Sequence, residues 1–147
     1  HINRIYNFIN QHAQGKIGWY GITFKDNTDD LRNSVHLEIL SKLSNNHDVK
    51  FTDYNLDLKK LMVSQDALLK TKMPNYLDLH IDSFLELLNH SDTLIIGHAI
   101  PNRNFKAGLL NHDRVLNIID LTDSNMDLLN SKHHYQYIFD RSADNGI

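Results

Sequence analysis

The sequence predicts an α/β domain in three layers: a mainly parallel sheet of about five strands with helices on both faces. Three observations carry this. Short apolar runs alternate along the chain with segments of helical spacing, the pattern of strands joined by crossover helices. The runs show no polar alternation, as expected of strands covered on both faces. A long polar loop leaves the first run at its carboxyl end, where open α/β sheets bind ligands.

Taken in order, Ile2 to His12 places Ile2, Ile5, Tyr6 and Ile9 at helix spacing. Lys16 to Gly21 reads as the first strand, and Val35 to Leu43 as a helix ended by Asn45 and Asn46. Val49 to Asp53 is the second strand. Leu56 to Lys72 is helical in one or two pieces and is stopped by Pro74. Asp82 to Leu88 is a helix, Thr93 to Gly97 the third strand, and Phe105 to Leu110 a short helix. Val115 to Asp120 is the fourth strand, Asn125 to Leu129 is helical, and Tyr135 to Phe139 is a candidate fifth strand. Arg141 to Ile147 reads as a tail. Trp19 and Tyr20 are bulky for a strand and read as packing residues.

Composition narrows the function. The chain has 147 residues, net charge −3 and no cysteine. That length suits one domain with a real core. The charge argues against a nucleic-acid surface. Without cysteine there is no disulfide framework, no thiolate nucleophile and no Cys-ligated metal. The apolar runs are far too short to span a bilayer, and no signal-peptide pattern is present. Neither a membrane nor a nucleic acid is an expected partner. The chain starts with His1, already in a helical pattern, so we expect a piece of a longer protein. The ten histidines form no HExxH or His/carboxylate cluster. No metal site is expected, and surface or structural roles fit them better. His36 and His98 nevertheless fall near the expected cleft, and His133-His134 is an adjacent pair whose side chains diverge.

The loop Gly21 to Arg32 carries Lys25, Arg32, Thr28 and three acids, Asp26, Asp29 and Asp30. A Lys ammonium is a mobile point charge, and an Arg fork takes two phosphate or ribose oxygens at once. The start of the helix near Ser34 adds partial positive charge. Thr28 and Asp29 can hydrogen-bond loop amides. The plainer alternative is that Asp29 or Asp30 pairs with Arg32 on the surface. Asp53, ending the second strand, has two readings: a ribose-binding acid, or a turn former. The fingerprint GxGxxG is absent after the first strand, which counts against this domain holding a dinucleotide alone in the usual manner.

The run GITFKDNTDDLRNS resembles the signature of the nucleotide-sugar 6-dehydrogenases, roughly G-hydrophobic-Ser/Thr-Phe-Lys-x-x-Thr-Asp-Asp-x-Arg-Glu-Ser. KIGWYG resembles the strand before it, HDVKFTDYN the second strand, and TKMPNYLDLHIDSFLELLNHSDTLIIG a later segment of the family. The block pattern is closest to the GDP-mannose 6-dehydrogenase branch, with the UDP-glucose 6-dehydrogenases second.

This resemblance implies a Rossmann-like C-terminal domain that closes over a sugar nucleotide. The domains would divide as 1–14, the end of a connecting helix; 15–140, the sugar-nucleotide-binding domain; and 141–147, the tail. In that family an N-terminal domain holds NAD and a central part carries the catalytic cysteine. The C6 alcohol of GDP-mannose or UDP-glucose is oxidised to the carboxylate in two NAD-dependent steps through a thiohemiacetal and a thioester. No catalytic residue is expected in this chain, and without cysteine it is inactive by itself. Its expected partners are the nucleotide sugar and the missing N-terminal and central domains, in the cytoplasm; a homodimer of the full protein stays open. By the same resemblance Lys25 and Phe24 contact substrate, Arg32 reaches the NAD, and Thr28, Asp29 and Asp30 shape the loop.

Two departures stand out. Asn33 replaces the usual glutamate after the arginine, and Asn caps a helix but carries no charge. His98 to Phe105 replaces a short polar run with an aromatic; there Arg103 is a phosphate contact or, more simply, a solvated residue. From a different class, the alternative is a non-catalytic α/β binding or regulatory module. A phosphoacceptor receiver fits poorly, since Gly97-His98 stands where its acid belongs.

Overall fold

The computed structural model describes residues 1–25 and 28–138. Five strands, β1 (Ile17–Tyr20), β2 (Val49–Thr52), β3 (Thr93–Ile96), β4 (Asn117–Asp120) and β5 (His134–Tyr137), form one parallel sheet in the order β2-β1-β3-β4-β5. Every residue of β1 and β3 is buried. These central strands are covered on both faces, which is why their sequence is a continuous apolar run.

Strand periodicity splits the core in two. Phe51, Trp19, Ile95 and Ile119 are in register across four strands and belong to one cluster with Ile5, Ile9, Leu37 and Leu40. These last four come from α1 (Ile2–His12) and α2 (Val35–Leu43). Tyr20, Leu94, Ile96 and Ile118 belong to the second cluster with Phe84, Leu87, Leu88 and Leu109. That layer is α5 (Phe84–His90) and α6 (Arg103–Leu110). The expected three-layer, Rossmann-like architecture is the observed one. Ile5 and Ile9 of α1 lie within the main core.

Helix starts follow local chemistry. Ser34, Ser83 and Asn102 each accept a backbone N–H three residues on, from Leu37, Glu86 and Phe105, and so begin α2, α5 and α6. Leu56 to Lys72 divides in two: a 3-10 turn at Leu58–Lys60 capped by Asp57, then α3 (Val63–Lys72). A further one-turn helix, α4 (Tyr76–Leu79), follows Pro74 and has no apolar period long enough to announce it. Asn125 to Leu129 is a 3-10 turn, Met126–Asn130, rather than an α-helix. β4 begins at Asn117, two residues later than Val115, which is 52% exposed. β5 spans His134–Tyr137; Phe139 and the tail from Arg141 lie outside the described residues. Among the described residues no helix is long and apolar enough to cross a membrane, and no group of three or more His, Asp or Glu could hold a metal ion.

Four histidines are tucked into this fold. Burial holds the imidazoles of His80, His90, His112 and His133 below the ordinary histidine value. The folded state therefore binds fewer protons than the unfolded chain just below that value, and stability falls as pH drops through it. Asp30, Asp66 and Asp92 are shifted down instead, so their contribution is lost only at more acid pH. Burial of Asp120 acts in the opposite sense, a single group against four. The urea midpoint should decline as pH falls below about 6.5, and the decline should flatten in His112→Gln and His133→Gln. A midpoint that rises on acidification would contradict this.

Candidate functional site

The strand order reverses direction at β1 and β3, so a crevice opens between the loops that leave their carboxyl ends. Gly21 and Gly97 line its floor. Gly21 has φ +91, and a Cβ there would come within 2.7 Å of the His98 ring. A Cβ on Gly97 would come within 2.3 Å of the Gly21 carbonyl oxygen. Both positions require the missing side chain.

The loop that follows β1 is held from below by Asp53. Its buried carboxylate accepts the backbone N–H groups of Ile22 at 2.7 Å and Thr23 at 3.1 Å through Oδ2, and that of Asn55 at 2.8 Å through Oδ1. The ribose reading of Asp53 is therefore corrected. Its side chain is 0% exposed and already occupied, and the turn-forming reading describes it. The parallel register Tyr20↔Thr52 explains this, since it sets residue 53 beside the first residues of the loop.

The far end of the loop is tied by Ser34, whose hydroxyl donates to the Ile22 carbonyl while also capping α2. Leu31 is buried, and its N–H donates to Gln65 of α3 at 2.8 Å. The Phe24 N–H donates to the Asp30 carbonyl, closing the loop on itself. Thr28 accepts the Asp30 N–H at 3.2 Å. Asp29 is exposed.

Lys25 and Phe24 are presented together. Phe24 is 47% exposed, and the Lys25 ammonium lies 6.0 Å from its ring centroid. Beneath Phe24 is a hollow of about 200 Å³ lined by Ile5, Phe24, Asn33, Val35, His36 and Leu121. Arg32 is placed differently. Its Nε and Nη2 donate to the Asp30 carboxylate at 2.9–3.3 Å on the surface. This is the surface pairing, and the guanidinium holds the Asp30 carboxyl down at about 2. Asn33 has φ +59, the left-handed region that Asn tolerates better than most residues. That backbone gives the departure from glutamate a local reason. Arg103 is exposed in the first turn of α6.

His98 and His36, either of which the sequence offers as a ligand contact near the cleft, meet each other and the loop. His98 Nε2 lies 3.0 Å from Thr23 Oγ1, and the His36 ring meets the His98 ring edge-on at 5.4 Å. A larger hollow of about 430 Å³ lies at the opposite edge of the sheet, between α1 and β5. The His133 ring there is already bonded to Leu116 N–H and the Leu109 carbonyl. A parallel sheet presents its loops and ligands at the carboxyl edge, so the crevice above Gly21 is the candidate site.

These features define a Rossmann-like α/β domain whose switch-point loop offers a cation beside an exposed aromatic ring. The chain belongs to the UDP-glucose/GDP-mannose dehydrogenase family, matching the model of its UDP binding domain over residues 18–120. It is 26% identical to GDP-mannose 6-dehydrogenase of Pseudomonas aeruginosa over 99 residues, 67% of this chain and 23% of that protein. The Azotobacter vinelandii GDP-mannose 6-dehydrogenase is 25% identical over 101 residues, 68% of this chain and 23% of that protein. The chain thus spans about a quarter of the length of these relatives. Among solved structures, a ternary complex of the P. aeruginosa GDP-mannose dehydrogenase superposes with TM-score 0.66 at 23% identity, covering 83% of this chain and 28% of that one. A UDP-glucose dehydrogenase from Pyrobaculum islandicum gives TM-score 0.58 at 18% identity, covering 94% and 28%. At these identities the superpositions establish the fold.

Proposed function

We propose that this chain is the sugar-nucleotide-binding domain of an NAD-dependent nucleotide-sugar 6-dehydrogenase, with GDP-mannose the preferred substrate and UDP-glucose the second. The observation that supports it most is the joint exposure of Lys25 and Phe24 on a loop tied down by Asp53 and Ser34. An anionic diphosphate needs such a compact cation, and rigid anchoring lowers the ordering cost of binding. The GDP-mannose preference rests on the curated relatives.

In this reading Lys25 and Phe24 face the substrate, and Arg32, preset by Asp30, faces the NAD held by another domain. Thr28, Asp29 and Asp30 keep the loop in shape. Residues 1–14 form the end of the connecting helix, and oxidation at C6 uses a cysteine supplied from outside this cysteine-free chain. The full protein works in the cytoplasm, and a homodimer fits the family pattern.

The test is amide NMR of the chain titrated with GDP-mannose, UDP-glucose and GDP. Binding on the order of millimolar is expected because most of the cleft is contributed elsewhere. Shifts should centre on the loop Gly21 to Ser34, be larger for GDP-mannose, and weaken at least about tenfold in Lys25→Ala, the loss of one charge-assisted contact. Equal shifts in the variant would refute the role of Lys25. Absence of shifts in the wild-type chain would favour a non-catalytic module.

A further inference from the structure

Thr23 and His98 form a connected pair beneath the ligand loop. The Thr23 hydroxyl donates to the Lys25 carbonyl at 3.1 Å. A hydroxyl has one proton to give, so its 3.0 Å contact with His98 Nε2 requires the imidazole to be the donor. Hydrogen-bond accounting therefore places a proton on His98 Nε2. Asp53 Oδ2 lies 3.7 Å from that nitrogen.

The ring is fixed on its other sides as well. His98 is 4% exposed, lies against the bare Cα of Gly21, and meets the His36 ring edge-on. It comes from the loop after β3, whereas Thr23 and Lys25 come from the loop after β1, so the bond bridges the two sides of the crevice. A packing role alone would not need a donor aimed at a hydroxyl.

We propose that His98 is a positioning residue: by donating to Thr23 it holds the Lys25 carbonyl and so aims the Lys25 ammonium into the crevice. The ligand role of Lys25 is taken from the proposed function; the positioning itself is a property of the free chain. The relay is His98 Nε2–H to Thr23 Oγ1, then Thr23 O–H to the Lys25 carbonyl, with no group consumed.

The test pairs shape-preserving losses with rescues. His98→Leu and Thr23→Val keep much of the volume and remove the donor or the hydroxyl. His98→Gln and Thr23→Ser restore an N–H or an O–H near the original place. Two readouts are taken on the 147-residue chain: backbone ¹⁵N relaxation at Phe24 and Lys25, and titration with GDP-mannose. Both losses should mobilise Lys25, both rescues should restore it, and GDP-mannose binding should weaken about fivefold in the losses, as for one neutral hydrogen bond. Long-range ¹H–¹⁵N correlation should find the His98 proton on Nε2. Unchanged Lys25 relaxation in His98→Leu and Thr23→Val, or failure of His98→Gln to restore it, would overturn the proposal. If the wild-type chain shows no GDP-mannose shifts, the proposed function fails, while the relaxation result still decides the positioning role.

Discussion

Replacing Asp53 by alanine should destabilise the domain by about 3–5 kcal/mol, the range for leaving buried partners of a charge uncompensated. The cause is specific. Three backbone N–H groups, of Ile22, Thr23 and Asn55, point at this one carboxylate. The N–H groups of Ile22 and Thr23 are buried and that of Asn55 is half-buried; a buried donor left without an acceptor costs about 1–3 kcal/mol, and since the three share one site they do not simply add. Asp53→Asn keeps one acceptor oxygen but sets an amide N–H₂ where a second acceptor is needed, so it should fall between wild type and alanine. Urea denaturation measures the loss, and hydrogen exchange at Ile22 and Thr23 locates it. A loss under about 1 kcal/mol in Asp53→Ala, or unchanged protection at those two amides, would mean the loop is anchored elsewhere. The same substitution should weaken any nucleotide-sugar binding, because Lys25 stands two residues beyond Thr23.

The parts legible in the sequence are those set by local chemistry. The apolar runs Ile17 to Tyr20 and Thr93 to Ile96 are buried strands because no polar residue interrupts them. Ser34 ahead of Val35 marks the start of α2, and the spacing of Asp30 and Arg32 allows the pairing that is observed. What escaped depends on which strands become neighbours. Asp53 meets Ile22 only because β2 lies beside β1, and His98 meets Thr23 only because β3 lies on the other side. No periodicity encodes that order. Gln65 reaching Leu31 across thirty-four positions is of the same kind. The two pieces of Leu56 to Lys72 agree with one of the two readings of that stretch, whereas α4 is illegible for a different reason. One-turn helices hold too few residues for a 3.6-residue period to show, and packing against β2, as at the Phe51–His80 bridge, decides them. The loop was legible from its own residues and the resemblance suggested its roles; the structure supplied its supports.

Trp19→Ala should cost about 3–5 kcal/mol, the range for removing a fully buried large aromatic. Trp19 is 0% exposed and sits in the middle of the row Phe51, Trp19, Ile95 and Ile119 beneath α2. It also donates from its indole Nε1 to the Gly21 carbonyl at 2.8 Å, which fixes the chain where it turns into the loop after β1. The two roles can be separated. Trp19→Phe keeps most of the ring volume and loses the donor, so it should retain more of the stability while the amides of Gly21 to Lys25 shift. Trp19→Ala should lose both. It is the chain's one tryptophan, so circular dichroism rather than fluorescence must follow unfolding in these variants. If Trp19→Phe leaves the loop amides in place, the indole bond does not set the loop, and Asp53 with Ser34 anchors it alone. If Trp19→Ala costs less than about 2 kcal/mol, the shared row is not the core of the domain and the layering built on it is wrong. Trp19 joins core and candidate site: the same side chain that fills the row beneath α2 also holds Gly21, the first residue of the loop.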